Sequence, residues 1–161
     1  MKVANIIDGI MIHGRGTLLA KFDVESAYRI IPVYSHDCYL LGIKSQGNYF
    51  IDLALPFGLR SAPFMFSSFA DLLEWLLKHS YEVQFLLHYL DDFQTLGPPV
   101  CQQNLDICVL HFSESGIPLH ADKLEGPCMC LTVLGIELDS LTFWARISQE
   151  KFDFIAALLD T

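Results

Sequence analysis

The stretch HYLDDF, residues 88 to 93, places two adjacent aspartates inside an otherwise apolar run, LLHYLDDFQTLG. No other feature of the chain restricts its folding as much. A carboxylate taken out of water is costly unless it is paired, hydrogen-bonded or coordinated to a metal. Two neighbours also repel, which raises the pKa of at least one of them. A hairpin turn is one solution, because Asp tolerates turn geometry and bonds to nearby backbone. A site for a hard divalent cation such as Mg²⁺, which takes carboxylate oxygens, is the other. LLAKFDV, residues 18 to 24, carries a third carboxylate, Asp23, at the end of another apolar segment. If the two segments lie side by side, Asp23, Asp91 and Asp92 converge and could hold two ions for phosphoryl transfer. From the residues alone, turn and metal site both stand.

Apolar residues make up 52% of the chain and charged residues 18%, below the charged share of about 25% usual in soluble domains. That excludes a disordered chain. It also leaves a sticky surface, as if neighbouring segments normally cover part of it. The 161 residues suit one domain. A net charge of -9, from 10 basic and 19 acidic residues, does not suit a chain that grips phosphate backbones unaided. Either nucleic acid is not the partner, or basic surfaces lie in other sequence, or bound divalent ions offset the charge. Cys38, Cys101, Cys108, Cys128 and Cys130 are odd in number and scattered, which argues for ordinary thiols in a reducing, intracellular setting. Nucleus and cytoplasm stay equally open. No signal peptide opens the chain and no apolar run reaches membrane-spanning length, so no membrane role is expected. The glycine-rich nucleotide motifs GxGxxG and GxxxxGK(S/T) are missing.

Along the chain, residues 1 to 16 read as a short helix ending at Gly14 or Gly16, and residues 18 to 24 as a buried strand. ESAYRIIPV reads as a turn or partial helix, and SQGN as the turn of a hairpin. Ser61 is the expected cap of a helix with Pro63 in its first turn. On that helix Phe66, Phe69, Leu72, Leu73, Leu76 and Leu77 form the expected core stripe, opposite Asp71, Glu74 and Lys78. VQFLLHYL and FQTLG bracket Asp91 and Asp92 as strand, tight turn and strand. A helix is expected over 100 to 114, then a polar connection, GIPLHADKLEGP, and a final hairpin from TVLGIELD and TFWARIS. QEKFDFIAALLD starts a last helix. Helices mixed with largely antiparallel strands predict an α+β layer with helices packed on a sheet. Lys21 is expected to pair with a nearby carboxylate, and His88 to pack or accept a hydrogen-bonded partner.

Taken together, these stretches resemble the palm of a reverse transcriptase. KFDVESAYR resembles the first palm motif, with Asp23 as its metal-binding aspartate and Tyr28 as the aromatic gate against a ribose 2′-hydroxyl. LPFGLRSAPFMF, residues 55 to 66, resembles the second motif, which implies Phe57 and Gly58 beside the incoming nucleotide and Arg60 on the template. YLDD, residues 89 to 92, resembles the catalytic box, with Asp91 as the main ligand, Asp92 more peripheral, and Leu90 against template or primer. SGIPLHADK places Lys123 where the family has a lysine that protonates the leaving pyrophosphate. LGIELD with TFWARIS resembles the hairpin that grips the primer end, around Gly135. Within the family, LLAKFDVESAYR and ALPFGLRSAPFMF look most like retrotransposon enzymes of the DIRS type, which integrate by a tyrosine recombinase.

The resemblance implies an RNA-directed DNA polymerase palm that extends a primer on an RNA or DNA template with deoxynucleoside triphosphates. Its cofactor is Mg²⁺, with Mn²⁺ as a substitute, held by Asp23, Asp91 and Asp92. It also implies a division into a short upstream helix or fingers remnant (1–16), a palm (17–132), a primer-grip-like hairpin (133–148) and the start of a thumb or connecting helix (149–161). Fingers and thumb would then belong to missing segments of a longer retrotransposon polyprotein, which would account for the acidic balance. Two rival expectations are an inactive remnant of such an element and a non-enzymatic protein-interaction domain.

Overall fold

Two short apolar segments, buried on both faces for most of their length, form the centre of the molecule. The computed structural model describes residues 2–98 and 101–159. In chain order the elements are α1 (Val3–His13), β1 (Leu18–Asp23), a 3₁₀ turn (Ala27–Ile30), a second (Cys38–Leu41), β2 (Gly42–Ser45) and β3 (Asn48–Ile51). Then follow α2 (Ala62–Ser80), β4 (Leu86–Tyr89), β5 (Asp92–Gly97), α3 (Cys101–Glu114) and a third 3₁₀ turn (Ala121–Lys123). The chain closes with β6 (Glu125–Cys128), β7 (Cys130–Val133), β8 (Ile136–Asp139), β9 (Trp144–Ile147) and α4 (Gln149–Leu159). The expected helix start at 100, and the parts of the expected segments at 1 and 160–161, lie outside the described residues.

β1 and β5 pair antiparallel at the middle of a four-stranded sheet ordered β4-β5-β1-β6. Because side chains alternate along a strand, Ala20 and Phe22 of β1 and Phe93 of β5 enter one core with α2 and α3. Leu19 and Leu96 enter a second core on the other face, with Ile6 and Ile10 of α1 and with Leu131, Val133 and Leu138. The first core centres on a cluster of buried phenylalanines. Phe22 and Phe93 stack at 5.2 Å, and Phe112 of α3 meets both edge-on at 5.4 and 5.2 Å. Such pairs are worth about 0.5–1.5 kcal/mol each beyond area burial.

This is the expected α+β architecture: small antiparallel sheets packed against helices, palm-like, with no clear fingers or thumb among the described residues. Four details differ from the sequence reading. The connection expected over 116–127 contributes a strand, β6, which joins the edge of the sheet beside β1. Gly126 makes this possible: its φ is +95°, and a Cβ there would collide with the Leu19 carbonyl oxygen. The expected final hairpin is a three-stranded sheet, because β7 pairs with β8 ahead of the β8–β9 pairing. Ser61 precedes α2 but makes no side-chain cap bond. Leu72 is 57% exposed and stands outside the core that holds Phe66, Leu73 and Leu77.

These placements separate two substitutions that the sequence treats alike. Phe93→Ala should cost about 3–5 kcal/mol by cavity formation. Leu72→Ala should stay within about 0.5 kcal/mol. Urea unfolding of both variants checks the contrast.

Candidate active site at the end of the central strands

The β1–β5 register puts Asp23 directly opposite Asp92. Both sit one residue beyond the Phe22–Phe93 pair, so the stack that fills the core also aligns the two carboxylates on the opposite face. Tyr89 pairs with Asp92 across β4 and β5, which leaves Leu90 and Asp91 as a two-residue hairpin loop. Such loops favour turns with positive φ at the first central residue. Leu90 adopts φ 53°, an unfavourable value for a residue with a branched side chain. The Asp91 carbonyl accepts a hydrogen bond from Val24 N–H at 3.0 Å, which ties the turn to the end of β1.

A strap from the 116–123 connection holds Asp23 from the other side. His120 N–H donates to the Asp23 carbonyl at 2.9 Å, and Glu25 N–H donates to the Pro118 carbonyl at 2.9 Å. From the 3₁₀ turn that ends this strap, Lys123 Nζ reaches Asp23 Oδ2 at 3.0 Å. Asp23 is buried, whereas the Lys123 side chain is 53% exposed. This strap was not legible beforehand, since GIPLH carries turn residues and no alternation.

Too much negative charge meets here for one lysine to balance. Burial first, then a hydrogen bond with Asp23 and the charges of Asp23 and Asp91, push Asp92 up to about 6. Burial also raises Asp91, with the Asp23 charge adding to it and Lys123 opposing. The bond to Asp23 raises Lys123, helped by the charges of all three aspartates. Hard carboxylate oxygens carrying excess charge are the donors that Mg²⁺ prefers, so the donor chemistry fits that ion. The spacing is not closed around one, however. Among the described residues no three His, Cys, Asp or Glu side chains form a group that could hold a metal.

Tyr28 lies beside the aspartates. Burial raises its pKa, and the Asp91 and Tyr89 charges add to that. Its ring packs at 5.1 Å from Phe57 and 5.8 Å from Phe66. Phe57 is 70% exposed at the mouth of the site. Gly58 follows with φ +88° and nothing within 4 Å of a would-be Cβ, so conformation rather than close approach calls for glycine there. Arg60 is exposed just before α2, and Gly135 occupies the β7–β8 turn beside Lys151. Among the described residues, neither bonds to the three aspartates. Lys21 pairs with Glu125 at 2.9 Å and His88 with Asp71 at 3.0 Å, both as expected. A 560 Å³ cleft between α2 and β4 is lined by Tyr89 and Leu90 but by none of the three aspartates.

With this geometry in view, the comparisons identify the class. The family model described as reverse transcriptase (RNA-dependent DNA polymerase) matches residues 2–154. The chain belongs to that family. A solved foamy viral protease-reverse transcriptase in complex with double-stranded DNA is similar at 20% identity and TM-score 0.75, over 93% of this chain and 26% of that one. The foamy viral enzyme in complex with an RNA/DNA hybrid is similar at 18% identity and TM-score 0.73, over 92% and 20%. At such identity the likeness concerns the fold alone, and the chain spans about a quarter or less of those proteins. No curated protein matches the sequence.

The raised Asp92 pKa sets a pH dependence. Between the ordinary value of 3.8 and about 6 the folded chain binds a proton that the unfolded chain has released. Stability therefore falls as pH rises through that window, and the penalty is complete above it. In chelator-containing buffer, Asp92→Asn should melt like the parent at pH 4 and roughly 2–6 °C higher at pH 7.5. Thermal melts at the two pH values test this.

Proposed function

We propose that this chain is the palm of an RNA-directed DNA polymerase that adds deoxynucleotides to a primer 3′ end by two-metal phosphoryl transfer. The observation that carries the reading is the strand register that sets Asp23 opposite Asp92, with Asp91 in the intervening turn. Asp23, Asp91 and Asp92 are the ligands. When bound, Mg²⁺ (or Mn²⁺ in its place) supplies the charge that activates a primer hydroxyl and neutralises a departing pyrophosphate.

The remaining roles belong to the chain's own groups. Lys123, held protonated by its carboxylate neighbours, carries at Nζ the proton that a leaving pyrophosphate needs. Tyr28, braced by Phe57 and Phe66, forms the wall that excludes a ribose 2′-hydroxyl. Phe57 and Gly58 line the nucleotide's approach, Arg60 and Leu90 meet template or primer, and Gly135 belongs to a primer-gripping turn. In this reading residues 1–16 are a short upstream helix or fingers remnant, 17–132 the palm, 133–148 the primer-grip-like hairpin and 149–161 the start of a thumb or connecting helix. Template, primer and the fingers and thumb of a longer retrotransposon polyprotein complete the enzyme, which acts inside the cell. Its DIRS-type affinity rests on LLAKFDVESAYR and ALPFGLRSAPFMF.

One observation favours a second reading, an inactive remnant: Lys123 bonds Asp23, and no three-donor metal group is closed among the described residues. Primer extension with Mg²⁺ or Mn²⁺ on an RNA template separates the two, run on this chain and on a longer chain translated with its flanking sequence. Asp91→Ala should lower extension by at least about a hundredfold. Tyr28→Ala should retain extension while accepting ribonucleotides more readily. Absence of extension from both parent forms would favour the remnant.

A further inference from the structure

Lys123 is held in a way that its role as a proton donor does not require. Its Nζ occupies Oδ2 of Asp23 at 3.0 Å. The Asp23 backbone is pinned, because His120 N–H donates to its carbonyl and the Glu25–Pro118 bond fastens the next turn of chain, so the carboxylate stays at the end of β1. The Lys123 backbone is equally fixed, its N–H donating to the His120 carbonyl at 3.0 Å. The mobile part is the ammonium, on a flexible four-carbon stem that is 53% exposed. We propose that Lys123 is the site's own counter-cation, competing with a divalent ion for Asp23 Oδ2 and swinging into solvent when the ion takes that oxygen. The metal would then charge the site and free the lysine in one exchange. This inference rests on the polymerase reading above.

Mn²⁺ affinity measured by calorimetry on the full chain tests it. Lys123→Met should bind Mn²⁺ about two- to fivefold more tightly than the parent, the worth of one lost ion pair. Lys123→Arg should bind like the parent. Lys21→Met is the control for simple charge removal: Lys21 lies two residues before Asp23 on the same strand face, but its Nζ bonds Glu125 and the Thr132 carbonyl. It should leave the affinity unchanged. Thermal melts add a second readout. Lys123→Met should lower the melting temperature in chelator, and the difference should vanish in saturating Mn²⁺. Unchanged or weaker binding by Lys123→Met, equal tightening by Lys21→Met, or a melting difference that persists in Mn²⁺ would each overturn the exchange while leaving the polymerase reading intact. If neither the parent nor any variant binds Mn²⁺, both fail together.

Discussion

The antiparallel pairing of β1 with β5 is the constraint on which the rest depends. Phe22 faces Phe93 in the core, and one residue further Asp23 faces Asp92 at the sheet end. Since the side-chain period is two, a one-residue slip would send the aspartates toward α2 and α3 and the phenylalanines out of the core. The penalty for burying unpaired carboxylates among aromatic rings excludes that register. Core packing and site geometry are therefore one arrangement, and the aromatic cluster with Phe112 is what keeps the acidic groups together.

The site's electrostatics follow from that enforced proximity. Three carboxylates share a partly buried space with one ammonium, and burial first, with the neighbouring carboxylate charges adding to it, raises Asp91 and Asp92. Holding carboxylates half-buried and close together costs stability, and perturbed groups of this kind cluster at functional sites. The left-handed Leu90 belongs to the same compromise, because a two-residue loop is what brings Asp91 back over the end of β1.

Away from the site, much apolar surface is uncovered. All eight residues of the β2–β3 ribbon are exposed, including Tyr49 and Phe50, and α4 exposes Phe152, Phe154 and Leu159. Apolar side chains gathered on one ribbon and one helix are more than the scattered exposure usual on a small domain.

Local sequence by itself determined the elements whose physics is local. The short apolar runs LLAKFD and FQTLG predict β1 and β5, and Gly14 ends α1. The DD dyad within apolar flanks marks a site before any fold is known, since buried carboxylates demand a partner. Short or non-periodic pieces were not legible: β6 hides in LEGPC, and the strap at 116–120 acts through backbone groups that any sequence possesses. Exposure of Leu72 was likewise hidden, because a helical stripe predicts a face but not how wide the neighbouring sheet will be. Only the tertiary structure decided that Asp23 meets Asp92, that Lys123 rests on Asp23 from a hundred residues away, and that Tyr28 stands beside Asp91. Contacts between distant segments depend on register and packing, which composition and periodicity leave undetermined.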